Sequence, residues 1–157
     1  MSRIVIRRAT LKDLDAICTL SQYLFDHERQ FTDEYHMAWS QEPAGRKFFT
    51  KCLRSRKSFT LLAVSDGKVV GYILIKLLTF AWRDFNPIAE VTNVSVDPMY
   101  RGQGIGTRLF TRAIDLAKKR GAKRMSVEAL TDNLAAVRFY KRLGFSDFSE
   151  TRLMKLQ

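Results

Sequence analysis

The chain has 157 residues, 46% hydrophobic and 27% charged, with a net charge of +11, which suits one globular domain spanning 1–157 with a sizeable core. Its opening residues, MSRIVIRRAT, lack the apolar run and cleavage site of a signal peptide, and the longest apolar stretch, Val69 to Phe80, is broken by Gly71 and Lys76 and is too short to span a bilayer as a helix. A soluble, cytoplasmic protein with no membrane association is therefore expected, with Cys18 and Cys52 reduced and packed and no metal site, since their spacing suits none.

In chain order, Ile4 and Ile6 alternate with Arg3, Val5 and Arg7 in a first strand, and Thr10 with Asp13 has the form of an N-cap and weak capping box. A helix follows, its core stripe running through Leu11, Leu14, Ile17, Cys18, Leu20, Leu24 and Phe25. From His27 to Ala44 the pattern weakens to a loop or broken helix, and Arg46 to Lys57 reads as helix. Phe59 to Val64 and Lys68 to Phe80 form a hairpin about an Asp66-Gly67 turn, whose residues tolerate the positive φ of a type I′ turn.

After a loop from Ala81 to Ile88 comes a strand from Ala89 to Val96. Its apolar positions fall at Val91 and then at Val94 and Val96, so the period of two slips once around Thr92 and Asn93, as an inserted residue would make it do. A helix from Ile105 to Ala117 is closed by Gly121. Met125 to Leu130 is the next strand, Asp132 or Asn133 caps a short helix ended by Gly144, and Phe145 to Leu156 supplies further strand. The order of elements is that of one mixed α/β layer structure.

The charge is unevenly placed. Leu11 to Glu42 holds seven acids, among them Asp26, Glu28, Asp33 and Glu34, against Lys12 and Arg29, a net of −5; the remainder carries +16. A basic body suits a polyanionic ligand and the acidic segment a cationic one. Two basic runs, Arg46 to Lys57 and Lys118 to Arg124, raise nucleic acid as a partner. No nucleic-acid motif accompanies them, and basic helix faces are commonly just solvated, so nucleic acid is not expected as the main partner.

The stretch AEVTNVSVDPMYRGQGIG, Ala89 to Gly106, carries the chemistry. A strand runs into a basic loop in which Gly102, Gly104 and Gly106 allow close backbone approach, and the loop opens a helix whose free N–H groups and dipole favour an anion. Arg101 adds a planar fork of donors. A Walker loop is excluded because Thr107 and Arg108 stand where its Lys-Ser/Thr pair belongs, and the dinucleotide fingerprint because the third glycine comes one residue early.

Arg101-Gly102-Gln103-Gly104-Ile105-Gly106, after Val94, Val96 and Pro98, resembles the Arg/Gln-x-x-Gly-x-Gly/Ala loop of the GNAT superfamily of acyl-CoA-dependent N-acetyltransferases. The stretch Asn133 to Phe145 is similar to that superfamily's second acetyl-CoA motif. The resemblance implies a mixed twisted sheet flanked by helices and an acetyltransferase with acetyl-CoA as acyl donor. It gives coenzyme binding to Val94, Ser95, Val96, Arg101, Gly102, Gln103, Gly104, Ile105, Gly106, Thr107 and Asn133, although helix capping explains Asn133 equally well. It gives the general base to Glu90 and the general acid to Tyr140, with His27 and His36 as alternative bases. An N–H near Val94 or Ser95 would polarise the thioester carbonyl. The acidic segment then becomes the acceptor site for a cationic small-molecule or peptide amine. Another acyl-CoA donor, or a CoA-binding module without activity, stays open. Members of the superfamily are often dimers, and no stretch here marks an interface.

Overall fold

The computed structural model describes residues 3–156; the outermost residues of the expected domain, 1, 2 and 157, lie outside the described residues. Its strands are β1 (Ile4–Arg8), β2 (Ser58–Ser65), β3 (Lys68–Leu78), β4 (Ile88–Val96) and β5 (Arg124–Val127). Its helices are α1 (Leu14–Glu28), α2 (Pro43–Arg54), α3 (Ile105–Lys119) and α4 (Leu134–Arg142). The strands form one sheet in sequence order, antiparallel from β1 to β4, with β5 parallel to β4. This is the mixed α/β fold expected.

Two apolar layers cover the sheet. On one face Ile105, Leu109, Phe110, Ala113 and Ala117 of α3 pack on Phe59, Leu61, Ile73, Ile75, Ala89 and Val91, with Phe139 and Tyr140 of α4 beside them. On the other, Ile17, Cys18 and Leu20 of α1 and Phe49 and Cys52 of α2 pack on Leu62, Tyr72 and Leu74. Both cysteines are buried and free, as expected.

Several elements differ from the sequence expectation for local reasons. Residues Leu11–Asp13 form a 3-10 turn before α1, where the Asp13 carboxylate accepts from the Thr10 N–H (2.8 Å) and is clamped by Arg7 (2.7 Å). Helix α2 begins at Pro43, three residues early, because proline is pre-set for a first helical position. The expected strand from Phe145 to Leu156 is absent. That segment has no regular structure and Phe148, Leu153, Met154 and Leu156 are exposed, since no neighbouring strand offers it a ladder. Strand β5 stops at Val127 rather than Leu130 because its pairing with β4 ends at Val91 opposite Val127.

The slip in β4 is a bulge. Leu74 of β3 faces Asn93 and Ile75 faces Val91, leaving Thr92 as the extra residue. Ala89 and Val91 before it, and Val94 and Val96 after it, all turn to the α3 face. The opposite, α1 face therefore receives Glu90, Thr92, Asn93 and Ser95.

Candidate functional site

Beyond Val91 the strands β4 and β5 have no ladder between them, although β4 continues to Val96. The bulge re-aims this stretch, and its backbone groups on the β5 side have no strand to pair with. The strand end is tied down at Asp97. Burial alone would push that carboxyl up, but the Lys68 ammonium (2.9 Å) and the Met99 N–H (2.9 Å) hold it below the ordinary carboxylate range. Asp97 was not among the expected site residues; its signal was an Asp before Pro at a strand end, a turn-forming pair.

The loop that follows presents backbone. Arg101 is exposed, and its Nε donates to the Val96 carbonyl (3.1 Å), which anchors it at the loop base. Gly102 and Gly104 adopt φ of 75° and 74°, a conformation that costs any side chain. Gly104 is also the N-cap of α3, and no side chain caps that end. The first N–H of the helix to find a carbonyl is that of Arg108, bonded to Gly104 (3.1 Å), so among the described residues Ile105, Gly106 and Thr107 offer free amides beside the exposed Gln103. Ile105 is buried and pins the helix to the core. Gly106 packs closely, since a Cβ there would stand 3.2 Å from Phe139 Cζ, tighter than ordinary contact. A basic loop with free amides at a helix N-terminus fits a phosphate group.

Of the strand residues, Val94 and Val96 pack against the α3 layer, whereas the Ser95 hydroxyl is buried without a partner among the described residues. Asn93 accepts a hydrogen bond from the hydroxyl of the fully buried Tyr72, whose ionisation burial pushes up. Glu90 is half-buried, with the Thr92 hydroxyl donating to it (3.2 Å).

Helix α4 brings Tyr140 up from the other layer. Asn133 is its N-cap and accepts from the Ala136 N–H (3.2 Å), which shows the capping role. Tyr140 lies among Phe110 (5.7 Å between ring centroids), Phe139 and Phe145, and no protein group bonds its hydroxyl among the described residues. Burial, with a smaller push from the Glu28 charge, raises its pKa to about 12.

The Glu28 charge reaches Tyr140 and also Tyr35. Its own carboxyl is raised by burial. The other acids expected to face the cleft have partners elsewhere or lie exposed: Asp26 pairs with Arg29 (3.8 Å), Asp33 with Lys155 (3.2 Å), and Glu34 is exposed. The signal for Glu28 lay in spacing, because Ile17, Ser21, Leu24 and Glu28 fall on one stripe and place an acid at a core position. His27 lies under the charge of Arg101, and burial and that charge lower its pKa. His36 faces Glu42 (3.4 Å) away from this cluster. Among the described residues no group of side chains is arranged to hold a metal, and no helix is long and apolar enough to cross a membrane.

The model of the acetyltransferase (GNAT) family matches residues 22–145, which include the β4 bulge, the glycine loop and α4. The chain belongs to this family and is an acyltransferase. It is 32% identical over 142 residues to an uncharacterised N-acetyltransferase of Methanocaldococcus jannaschii, covering 90% of this chain but only 60% of that relative's length. A thialysine N-epsilon-acetyltransferase of Bos taurus is 28% identical over 153 residues, 96% of this chain and 88% of the relative. The crystal structure of a predicted acetyltransferase with acetyl-CoA, from Clostridium acetobutylicum, superposes with a TM-score of 0.80 at 20% identity, covering 98% of this chain and 96% of that one; that likeness is one of fold.

Proposed function

We propose that this acyltransferase moves an acetyl group from acetyl-CoA to a primary amine of a cationic acceptor. The observation that carries the reading is the stretch of β4 from Thr92 to Val96, which has no ladder on its β5 side, with the loop amides at its end and Tyr140 of α4 in the same layer as Val94. Acetyl-CoA, as substrate, supplies the activated acyl group.

The free amides from Gly102 to Thr107 would hold the pyrophosphate, with Arg101 adding charge and the N-terminus of α3 its dipole. Backbone of Val94 and Val96 would bond the pantetheine arm beyond the end of β5, and the Val94 N–H would face the thioester oxygen, because the register that bonds the Asp97 N–H to Val70 turns the Ser95 N–H toward β3. Tyr140 keeps its proton well past neutral pH, so it is available to protonate the departing sulfur. An amine of pKa about 10.4 must first lose a proton. Glu90 would take it directly or through water, helped by its place on the face opposite α3 and α4. Asn133, beyond capping α4, would contact the coenzyme side.

Glu28, with Tyr35 beside it, would receive the positive charge of the acceptor. The bovine relative is by name an enzyme of a lysine-like amine, which supports an acceptor of that kind. The test is acetyl-CoA-dependent thiol release over diamines, polyamines, lysine analogues, aminoglycosides and peptides. Turnover is expected with acceptors that carry a second positive charge. Binding of acetyl-CoA with no turnover on any amine would contradict the reading.

A further inference from the structure

The end of the sheet opposite the glycine loop gathers positive charge from distant parts of the sequence. It is formed by the last residues of β1 and β3 and the first of β2, β4 and β5, as the strand registers require. Helices α2 and α3 both finish there. The two basic runs, some sixty residues apart in the chain, are thereby joined: Arg120 Nη1 donates to the carbonyls of Arg56 (3.4 Å) and Ser58 (3.5 Å). Arg8 and Arg120 both lie over the ring of Phe59, and burial together with the Arg120 charge lowers the pKa of Arg8.

Cations in the last turns of α2 and α3 have an ordinary explanation, since they complement the negative helix ends. That explanation does not reach Arg56, Lys57, Arg83, Lys123 and Arg124, which lie beyond the helices. None of these five has a carboxylate partner among the described residues. Asp84 is the one acid in the segments 54–58, 79–87 and 118–124 that make up this end.

Aromatic side chains are interleaved with the charge. Segment 79–87 is pinned by Asn86, whose side chain accepts from the Phe80 N–H (3.1 Å) and donates to the Phe80 carbonyl (2.9 Å). It displays Trp82, 77% exposed, and Phe85, 54% exposed. The Arg124 guanidinium stacks 3.8 Å from the centroid of Phe85, and Arg83 lies over Phe80 at 5.5 Å. Two hollows adjoin: one of about 380 Å³ lined by Arg56, Lys57, Leu77, Leu78, Thr79 and Pro87, the other of about 440 Å³ with Lys47, Lys51 and Arg54 in its wall.

From this juxtaposition we infer that the basic end of the sheet is a binding surface for single-stranded nucleic acid, separate from the acyl-transfer cleft. Clustered cations neutralise consecutive phosphates, and exposed aromatic faces stack on unpaired bases. The surface stands on its own observations and does not depend on the acceptor or the roles proposed for the cleft.

The test uses the full chain and a fluorescein-labelled 20-nucleotide oligo(U) RNA, followed by anisotropy from 20 to 300 mM salt. If about five phosphates are neutralised, the logarithm of the affinity falls against that of salt with a slope of about −3.5. The triple variant Lys57→Gln, Lys119→Gln, Lys123→Gln changes only exposed side chains; it is expected to make the slope shallower by about 2 while acetyl transfer is unchanged. Trp82→Ala is expected to weaken binding about fivefold or more at an unchanged slope. No binding at 20 mM salt, or a triple variant that binds like the parent, overturns the proposal. So does tighter binding to phosphatidylserine vesicles than to RNA, and an unaffected Trp82→Ala variant overturns the single-strand assignment.

Discussion

The two faces of the sheet solve different problems. The α3 face is apolar and its adjoining loop is built from backbone: Gly102 and Gly104 set the turn, Gly106 lets Phe139 close in, and Ile105 and Leu109 bury completely. The α1 face buries polar side chains: Ser21 bonds Ser40 (2.7 Å), Tyr72 bonds Asn93, and Ser95 is left without a partner among the described residues. On the proposed function, the contrast means that the donor site would be held by main-chain geometry, whereas the acceptor side would be defined by particular side chains. A substitution on the first should damage coenzyme use whatever the amine; one on the second should discriminate among amines.

The largest effect is expected from breaking the backbone side. Gly104→Val forces a β-branched residue into a left-handed conformation at the cap of α3 and displaces the free amides, so kcat/KM for acetyl-CoA should fall about a thousandfold. Steady-state kinetics with several acceptors checks it, and a loss confined to one acceptor would break the comparison. Next comes the proposed proton donor. Tyr140→Phe keeps the ring among Phe110, Phe139 and Phe145 and should lower kcat a few hundredfold. Coenzyme affinity, read by calorimetry, should stay within about twofold of the parent, because the hydroxyl has no structural bond to lose.

Glu28→Gln sharpens the other half of the comparison. KM should rise about tenfold for dicationic amines and little for monoamines or for acetyl-CoA, a pattern expected of a charge that contacts the acceptor. A uniform rise would assign Glu28 to the fold alone.

The smallest effect lies in the Arg7–Asp13 clamp, which joins β1 to the turn before α1. Hydrogen bonding to Arg7 lowers the Asp13 pKa to about 2. A depressed carboxyl pKa contributes stability that is complete above the unfolded value near 4 and lost as pH falls through about 2. Because Arg7 is partly exposed and screened, Asp13→Asn should cost only about 1 kcal/mol at pH 7 and almost nothing near pH 2. Chemical denaturation across that range measures it, and a pH-independent difference would contradict the linkage.

What was legible in the sequence follows the same division. The glycine loop and the bulge could be read because their geometry needs particular residues: glycines at 102, 104 and 106, and a broken alternation at Thr92 and Asn93. The hairpin turn was readable on the same ground, and Asp66 and Gly67 both adopt positive φ. Harder to read was anything that depends on a partner across space. Phe145 to Leu156 has the apolar content of a strand, but a strand exists only where a neighbour supplies a ladder. The reach of the Glu28 charge to Tyr140 required the relative placement of α1 and α4, and the joining of Arg56 with Arg120 required the whole sheet.

The central claim is that acetyl-CoA is held by unpaired main-chain groups of β4 and the glycine loop. Amide hydrogen exchange with and without the coenzyme tests it most directly. Protection on binding is predicted at Val94 and Val96 and from Gly102 to Thr107, with the basic end of the sheet unchanged. Exchange unaltered in those two stretches while the coenzyme is bound, with protection concentrated elsewhere, would contradict the account.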